Sequence, residues 1–73
     1  MTTYSDPTVI WRLKRGNAVA HATIIPGEGQ TTVTWFFDGT MDRAENYESL
    51  DLAVARAEHI RGVLLRDGWS PSE

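Results

Sequence analysis

The sequence predicts an α+β domain of two layers, in which a four-stranded antiparallel meander sheet carries one C-terminal helix on one face. Segments with strand-type alternation fill the first half of the chain and are separated by short glycine-containing turns. The last third carries an apolar stripe at helical spacing. The predicted boundaries are 8–15, 18–25, 30–37 and about 40–47 for the four strands and 50–66 for the helix.

The chain has 73 residues and no cysteine, so it can build only one small core, and no disulfide can strengthen it. We therefore expect a single domain over residues 1–73. Residues 1–7 and 70–73 have no periodic apolar pattern, and we expect both segments to be loose ends.

The first hairpin is predicted to place large side chains opposite small ones. A two-residue turn at 16–17 fixes the register, because it pairs Leu13 with Ala20 and Val9 with Ile24. Small residues on the central strand leave room for bulky neighbours and for a helix above them. The face that carries these residues is therefore the predicted core face.

The second turn decides which residues of the third strand join the core face. A four-residue loop at 26–29 pairs Ala22 with Val33 and puts Val33 and Trp35 in the core. A loop one residue longer would send both side chains to the other face. Burial favours the four-residue loop.

The fourth strand is predicted mainly from its turn. Asp38-Gly39 is a strong hairpin signal, but Met41, Ala44 and Tyr47 do not share one period-two face. A bulge near the turn would restore the pattern. The many polar and charged residues are typical of an edge strand protected against aggregation.

The helix is predicted from caps and periodicity. Ser49 is a suitable N-cap, and Gly68 is a suitable left-handed residue after the last turn. Seventeen helical residues span about 25 Å, which is enough to cover one sheet face. The predicted core stripe consists of Leu50, Ala53, Val54, Ala57, Ile60, Leu64 and Leu65.

One sheet face remains without a covering element, and it is the predicted site. Half of its side chains are apolar, which is typical of a contact surface, although an ordinary solvated sheet face would also contain Thr and Val. The candidate protein-contact residues are Ile10, Arg12, Lys14, Val19, His21, Ile25, Thr34 and Phe36.

No motif in the sequence predicts catalysis or cofactor binding. Neither His21 nor His59 has a nucleophile at motif spacing, and there is no glycine-rich phosphate loop before a helix. The carboxylates of the acidic segment 38–51 do not follow the spacing of a calcium loop. We expect no enzymatic activity, no cofactor, no metal and no small-molecule substrate.

The expected function is that of a small protein-binding or regulatory module that contacts a protein partner or a second copy of itself, as a homodimer. We expect a cytoplasmic location and no membrane contact, since no apolar run approaches a membrane span and the N-terminus lacks signal-peptide features. One alternative is nucleic-acid binding through Arg12, Lys14, Arg15 and His21, although a net charge of −3 disfavours it. Another is an acidic inhibitor or decoy surface at 38–51.

Overall fold

The computed structural model describes residues 7–72 and has the predicted α+β architecture, with the sheet in the strand order β4-β3-β2-β1-β5. All neighbouring strands are antiparallel. The elements are β1 Thr8–Arg15, β2 Ala18–Gly27, β3 Gln30–Phe37, β4 Thr40–Tyr47, α1 Leu50–Arg66 and β5 Ser70–Pro71.

The fifth strand corrects one prediction. Ser70 and Pro71 are not a loose end, because they pair with Lys14 and Leu13 of β1. The Ser72 amide extends the pairing by donating to the Arg12 carbonyl at 2.9 Å. Pro7 is exposed and belongs to no strand, as predicted, and the other residues predicted to be loose, 1–6 and 73, lie outside the described residues.

The turn between β2 and β3 is tighter than predicted. Gly27 pairs with Gln30, so the loop has two residues instead of four, and β2 is two residues longer. Gly29 permits this turn because it adopts a φ of +76°, which costs a residue without Cβ little. The pairing of β3 with β2 is therefore shifted by two residues from the predicted one. Because side chains alternate between faces, every side chain of β3 keeps its predicted face.

A bulge in β1 changes the predicted face of two residues. Trp11 pairs with Ala22 as expected, but Val9 pairs with Thr23 instead of Ile24. The extra residue, Ile10, packs against the core. The prediction that Ile10 lies on the uncovered face is therefore wrong.

A second bulge explains the irregular pattern of β4. Arg43 pairs with Trp35 and Met41 with Phe36, so Asp42 is the extra residue. The bulge lies nearer to the middle of β4 than the sequence suggested. It puts Met41 on the uncovered face, while Asp42 joins residues on the helix side.

The core lies between α1 and the covered face of the sheet. Ser49 caps the helix, since its hydroxyl accepts from the Leu52 amide at 3.2 Å. Ala53 and Ala57 are completely buried, which lets the helix approach the tryptophans closely. Leu50 and Val54 were predicted in the core stripe but are exposed. The buried core consists of Trp11, Leu13, Ala20, Ala22, Ile24, Val33, Trp35, Ala53 and Ala57.

Candidate protein-contact surface

The sheet face opposite α1, called the open face below, is organised as rows of cross-strand neighbours. Residues paired directly across antiparallel strands share a face. The most informative row crosses β1, β2, β3 and β4 through Arg12, His21, Phe36 and Met41. The rows beside it contain Lys14, Val19, Val9, Thr23, Thr34 and Ala44, and farther along Ile25, Thr32 and Asn46.

An aromatic pair stands in the middle of the open face. The His21 and Phe36 rings are stacked, with centroids 4.5 Å apart and planes 8° from parallel. Both side chains are half-buried, although none of the elements within residues 7–72 covers them. Each ring covers one face of the other, which accounts for part of the burial of both side chains.

Aliphatic side chains surround the stacked pair and are well exposed. Val19 is 47% exposed, Ile25 36% and Met41 59%. Thr34 lies on this face as predicted but is almost buried by its neighbours, so it contributes little contact area. The open face thus presents an apolar centre formed by Val19, Ile25, Phe36 and Met41.

The basic residues predicted for this region separate onto two faces. Arg12 and Lys14 are exposed on the open face, beside the apolar centre. Arg15 points to the helix side, where it forms an ion pair with Asp67 at 3.0 Å and stacks over Trp69 at 5.5 Å. The prediction that Arg15 shares a basic surface with the other two is therefore wrong.

Comparison of the chain with protein-family models, curated proteins and solved structures finds no match in any of the three. The chemistry of its own side chains therefore carries the functional argument.

The acidic segment 38–51 does not form one surface. The Asp38 carboxylate accepts from the Val19 amide at 3.0 Å, at the end of β3. Glu48 and Asp51 follow the opposite end of β4, which is about 26 Å long. Among the described residues, no group of three or more His, Asp or Glu side chains is arranged to hold a metal ion. The described helix, α1, is too short and too polar to cross a membrane.

A charged cluster that the sequence did not predict lies on the helix side, where β4 meets α1. Glu45 accepts a hydrogen bond from the Tyr47 hydroxyl and forms ion pairs with Arg43 at 3.3 Å and Arg56 at 3.6 Å. The Tyr47 hydrogen bond and the two guanidinium groups outweigh burial and lower the pKa of Glu45. Burial, with the hydrogen bond to Glu45, raises the pKa of Tyr47.

Two members of the open face, Val9 and Met41, were not predicted from the sequence. Val9 and Met41 lie there only because each strand bulges next to them. The weak period-two pattern of β4 was the one available signal for a bulge in that strand. The alternation of β1 gave no such signal, because a regular strand would bury Val9 and the bulged strand buries Ile10, and both residues are apolar.

Proposed function

We propose that the protein is a small, non-enzymatic, cytoplasmic binding module that self-associates through its open face. The observation that carries the proposal is the stacked His21–Phe36 pair, which lies among exposed aliphatic side chains on a sheet face that no described element covers. An exposed apolar patch of this kind is typical of a protein interface.

A second copy is the partner that the layout of the face favours. A two-fold axis parallel to the strands and midway between β2 and β3 places β3 of one copy over β2 of the other. His21 then lies over Phe36 of the second copy, so the aromatic pairs stack in the centre of the interface. The patch is self-complementary in this arrangement.

Charge complementarity supports the same axis. Lys14 lies on β1, and Asp38 follows β3 at the same level of the sheet. The axis brings Lys14 of one copy to about one strand spacing, roughly 4.8 Å sideways, from Asp38 of the other. Facing sheets also pack about 10 Å apart, and a lysine and an aspartate side chain together span this gap, so two ion pairs border the apolar centre.

The available area also suits a dimer. Four neighbouring strands of at least eight residues each measure roughly 19 by 26 Å, a projected area of about 500 Å² on each copy. Two copies together bury about 1,000 Å², which is the lower bound for a specific interface. Side chains that project from the two faces increase this buried area further. We expect a reversible dimer with a dissociation constant in the micromolar range, about 1–100 μM.

Sedimentation equilibrium over a concentration series tests the proposal, with Phe36→Asp as the main variant. We expect the dissociation constant to rise at least about a hundredfold, because each dimer would bury two unpaired carboxylates. Met41→Asp is a second variant on the same row, and its high exposure leaves the monomer fold intact. Val63→Asp, on an exposed helix position, is the matched control and should not change the dissociation constant.

Three results would contradict the proposal. The wild-type chain could remain monomeric at millimolar concentration. Met41→Asp could dimerise as well as Val63→Asp, which would place the interface elsewhere. Finally, the wild-type chain could bind a DNA or RNA column with retention that falls steeply with salt and is lost in Lys14→Glu, which would favour nucleic-acid binding through the same face.

A further inference from the structure

His21 occupies the centre of the open face, between a cationic and an aromatic neighbour. It pairs with Arg12 on β1 and with Phe36 on β3, and its ring is stacked on the Phe36 ring. Cross-strand neighbours have Cβ atoms about 4.5–5.5 Å apart, so protonation of the imidazole puts two positive side chains next to each other. The Phe36 ring carries no charge that could offset them.

The other charged groups around His21 do not compensate for this arrangement. Arg12 and Lys14 are the charged side chains that β1 contributes to the open face, and neither forms an ion pair with a described residue. Among the described residues, the carboxylate nearest in register is that of Asp38, which follows β3 one row away and already accepts from the Val19 amide at 3.0 Å. The open-face side chains of β3 and β4 do not titrate; they are Thr32, Thr34, Phe36, Met41, Ala44 and Asn46.

Self-association removes the water that stabilises a protonated imidazole on this face. In the two-fold arrangement proposed above, His21 lies over Phe36 of the second copy, and facing sheets pack about 10 Å apart. Transfer into apolar surroundings disfavours the charged form of an imidazole and strengthens its repulsion by Arg12. Asp38 of the second copy is paired with Lys14 in this arrangement, so its charge is already neutralised.

We propose that His21 makes self-association depend on pH, so that the dimer forms with neutral imidazoles and separates on acidification. This inference rests on the proposed function, because it concerns the same interface. Imidazole changes its charge between about pH 5 and 8, whereas aspartate, lysine and arginine keep theirs over that range.

The sign and steepness of the dependence follow from the symmetry of the dimer. The separated monomers bind more protons than the dimer, so the dissociation constant rises as pH falls. A two-fold dimer contains two copies of His21, and two linked protons change the dissociation constant by up to about a hundredfold for each pH unit.

Sedimentation equilibrium of the full chain at about pH 7.5 and about pH 5.5, with constant ionic strength, tests the proposal. The dissociation constant should be at least about tenfold larger at the lower pH. Circular dichroism at both pH values verifies that the chain stays folded. His59→Gln is the matched control, because His59 is exposed on α1 on the other side of the sheet, and this variant should keep the wild-type ratio.

Two substitutions of His21 imitate its two charge states. His21→Phe keeps an aromatic ring beside Phe36 but cannot bind a proton, so its dissociation constants at the two pH values should differ by less than about twofold. His21→Lys is charged at both pH values, and at the higher pH its dissociation constant should be at least as large as that of the wild type at the lower pH.

The outcomes separate this inference from the proposed function. Equal wild-type dissociation constants at the two pH values would overturn the inference and leave the dimer in place. A wild-type chain that is monomeric at both pH values would overturn the proposed function and the inference with it.

Three other results would contradict the role of His21 alone. The dimer could be tighter at the lower pH, which would mean that attraction between the imidazolium and the aromatic rings outweighs the loss of water. The pH dependence could persist in His21→Phe and disappear in His59→Gln. Finally, His21→Lys could dimerise at the higher pH as tightly as His21→Phe.

Discussion

The two buried tryptophans make a paired test of how hydrogen-bond satisfaction contributes to the stability of this small core. Trp11 and Trp35 flank Ala22 in one cross-strand row on the helix side. Both are almost completely buried, but among the described residues only Trp11 finds an acceptor for its indole N–H. Replacing each by Phe removes the same atoms and changes the hydrogen bonding in opposite directions.

The expected difference follows from those two hydrogen-bonding states. Trp11→Phe removes a satisfied bond, which contributes about 1 kcal/mol, in addition to the lost packing. Trp35→Phe loses similar packing but also removes a buried unpaired donor, which returns about 1–3 kcal/mol. Trp11→Phe should therefore be less stable than Trp35→Phe by at least about 2 kcal/mol, or at least about 8 °C in Tm for a domain of this size.

Equilibrium unfolding in urea, followed by far-ultraviolet circular dichroism, measures the difference without relying on tryptophan fluorescence. Both substitutions are made in the Met41→Asp background, so that dimerisation does not contribute to the free energy of unfolding. Equal stabilities, or a less stable Trp35→Phe, would refute the reasoning. Such a result would mean that the Trp35 N–H already has an acceptor in the folded protein.

Three further predictions concern the bulge, the helix cap and the charged cluster. Ile10→Ala should lower the free energy of unfolding by about 2 kcal/mol and Val9→Ala by less than half as much, as measured in urea; equal losses would argue against the β1 bulge. Ser49→Ala should cost about 1 kcal/mol in the same assay, because the Leu52 amide loses its acceptor. Because the pKa of Glu45 is lowered in the folded state, its ionised form stabilises the fold above the ordinary glutamate pKa, and this contribution is lost as pH falls through the lowered pKa. The stability advantage of the wild type over Glu45→Gln should therefore be constant near neutral pH and shrink below about pH 4; an advantage that grows on acidification would contradict the assignment.

Much of the fold is encoded in local signals that the sequence displays directly. Asp38 and Gly39 both adopt positive φ, at 53° and 82°, as expected of the predicted two-residue turn. Ser49 caps the helix, and α1 has the predicted bounds. These features depend on a few neighbouring residues, so short-range chemistry is sufficient to predict them.

The features that could not be predicted depend on tertiary contacts. Ile10 and its neighbour Val9 are both apolar and β-branched, so the alternation that predicted Val9 on the core face could not reveal that Ile10 packs against the core instead. The ion pair of Arg15 with Asp67 joins residues 52 positions apart, and it turns the guanidinium away from the open face. The cleft lined by Trp35, Asp42 and Arg56 likewise contains side chains from β3, β4 and α1, and no local sequence pattern specifies how these elements meet.

The two bulges account for how so short a chain supports both a core and a contact face. Without the bulge in β4, the residue opposite Phe36 would be Asp42, and a carboxylate would interrupt the apolar centre of the open face. The bulge turns Asp42 to the helix side of the sheet and puts Met41 beside Phe36. In β1 the bulge moves Ile10 from the open face into contact with the core, which gains apolar burial that a small domain needs. The extra residue of β4 therefore takes a carboxylate off the open face, and the extra residue of β1 adds an apolar side chain to the core.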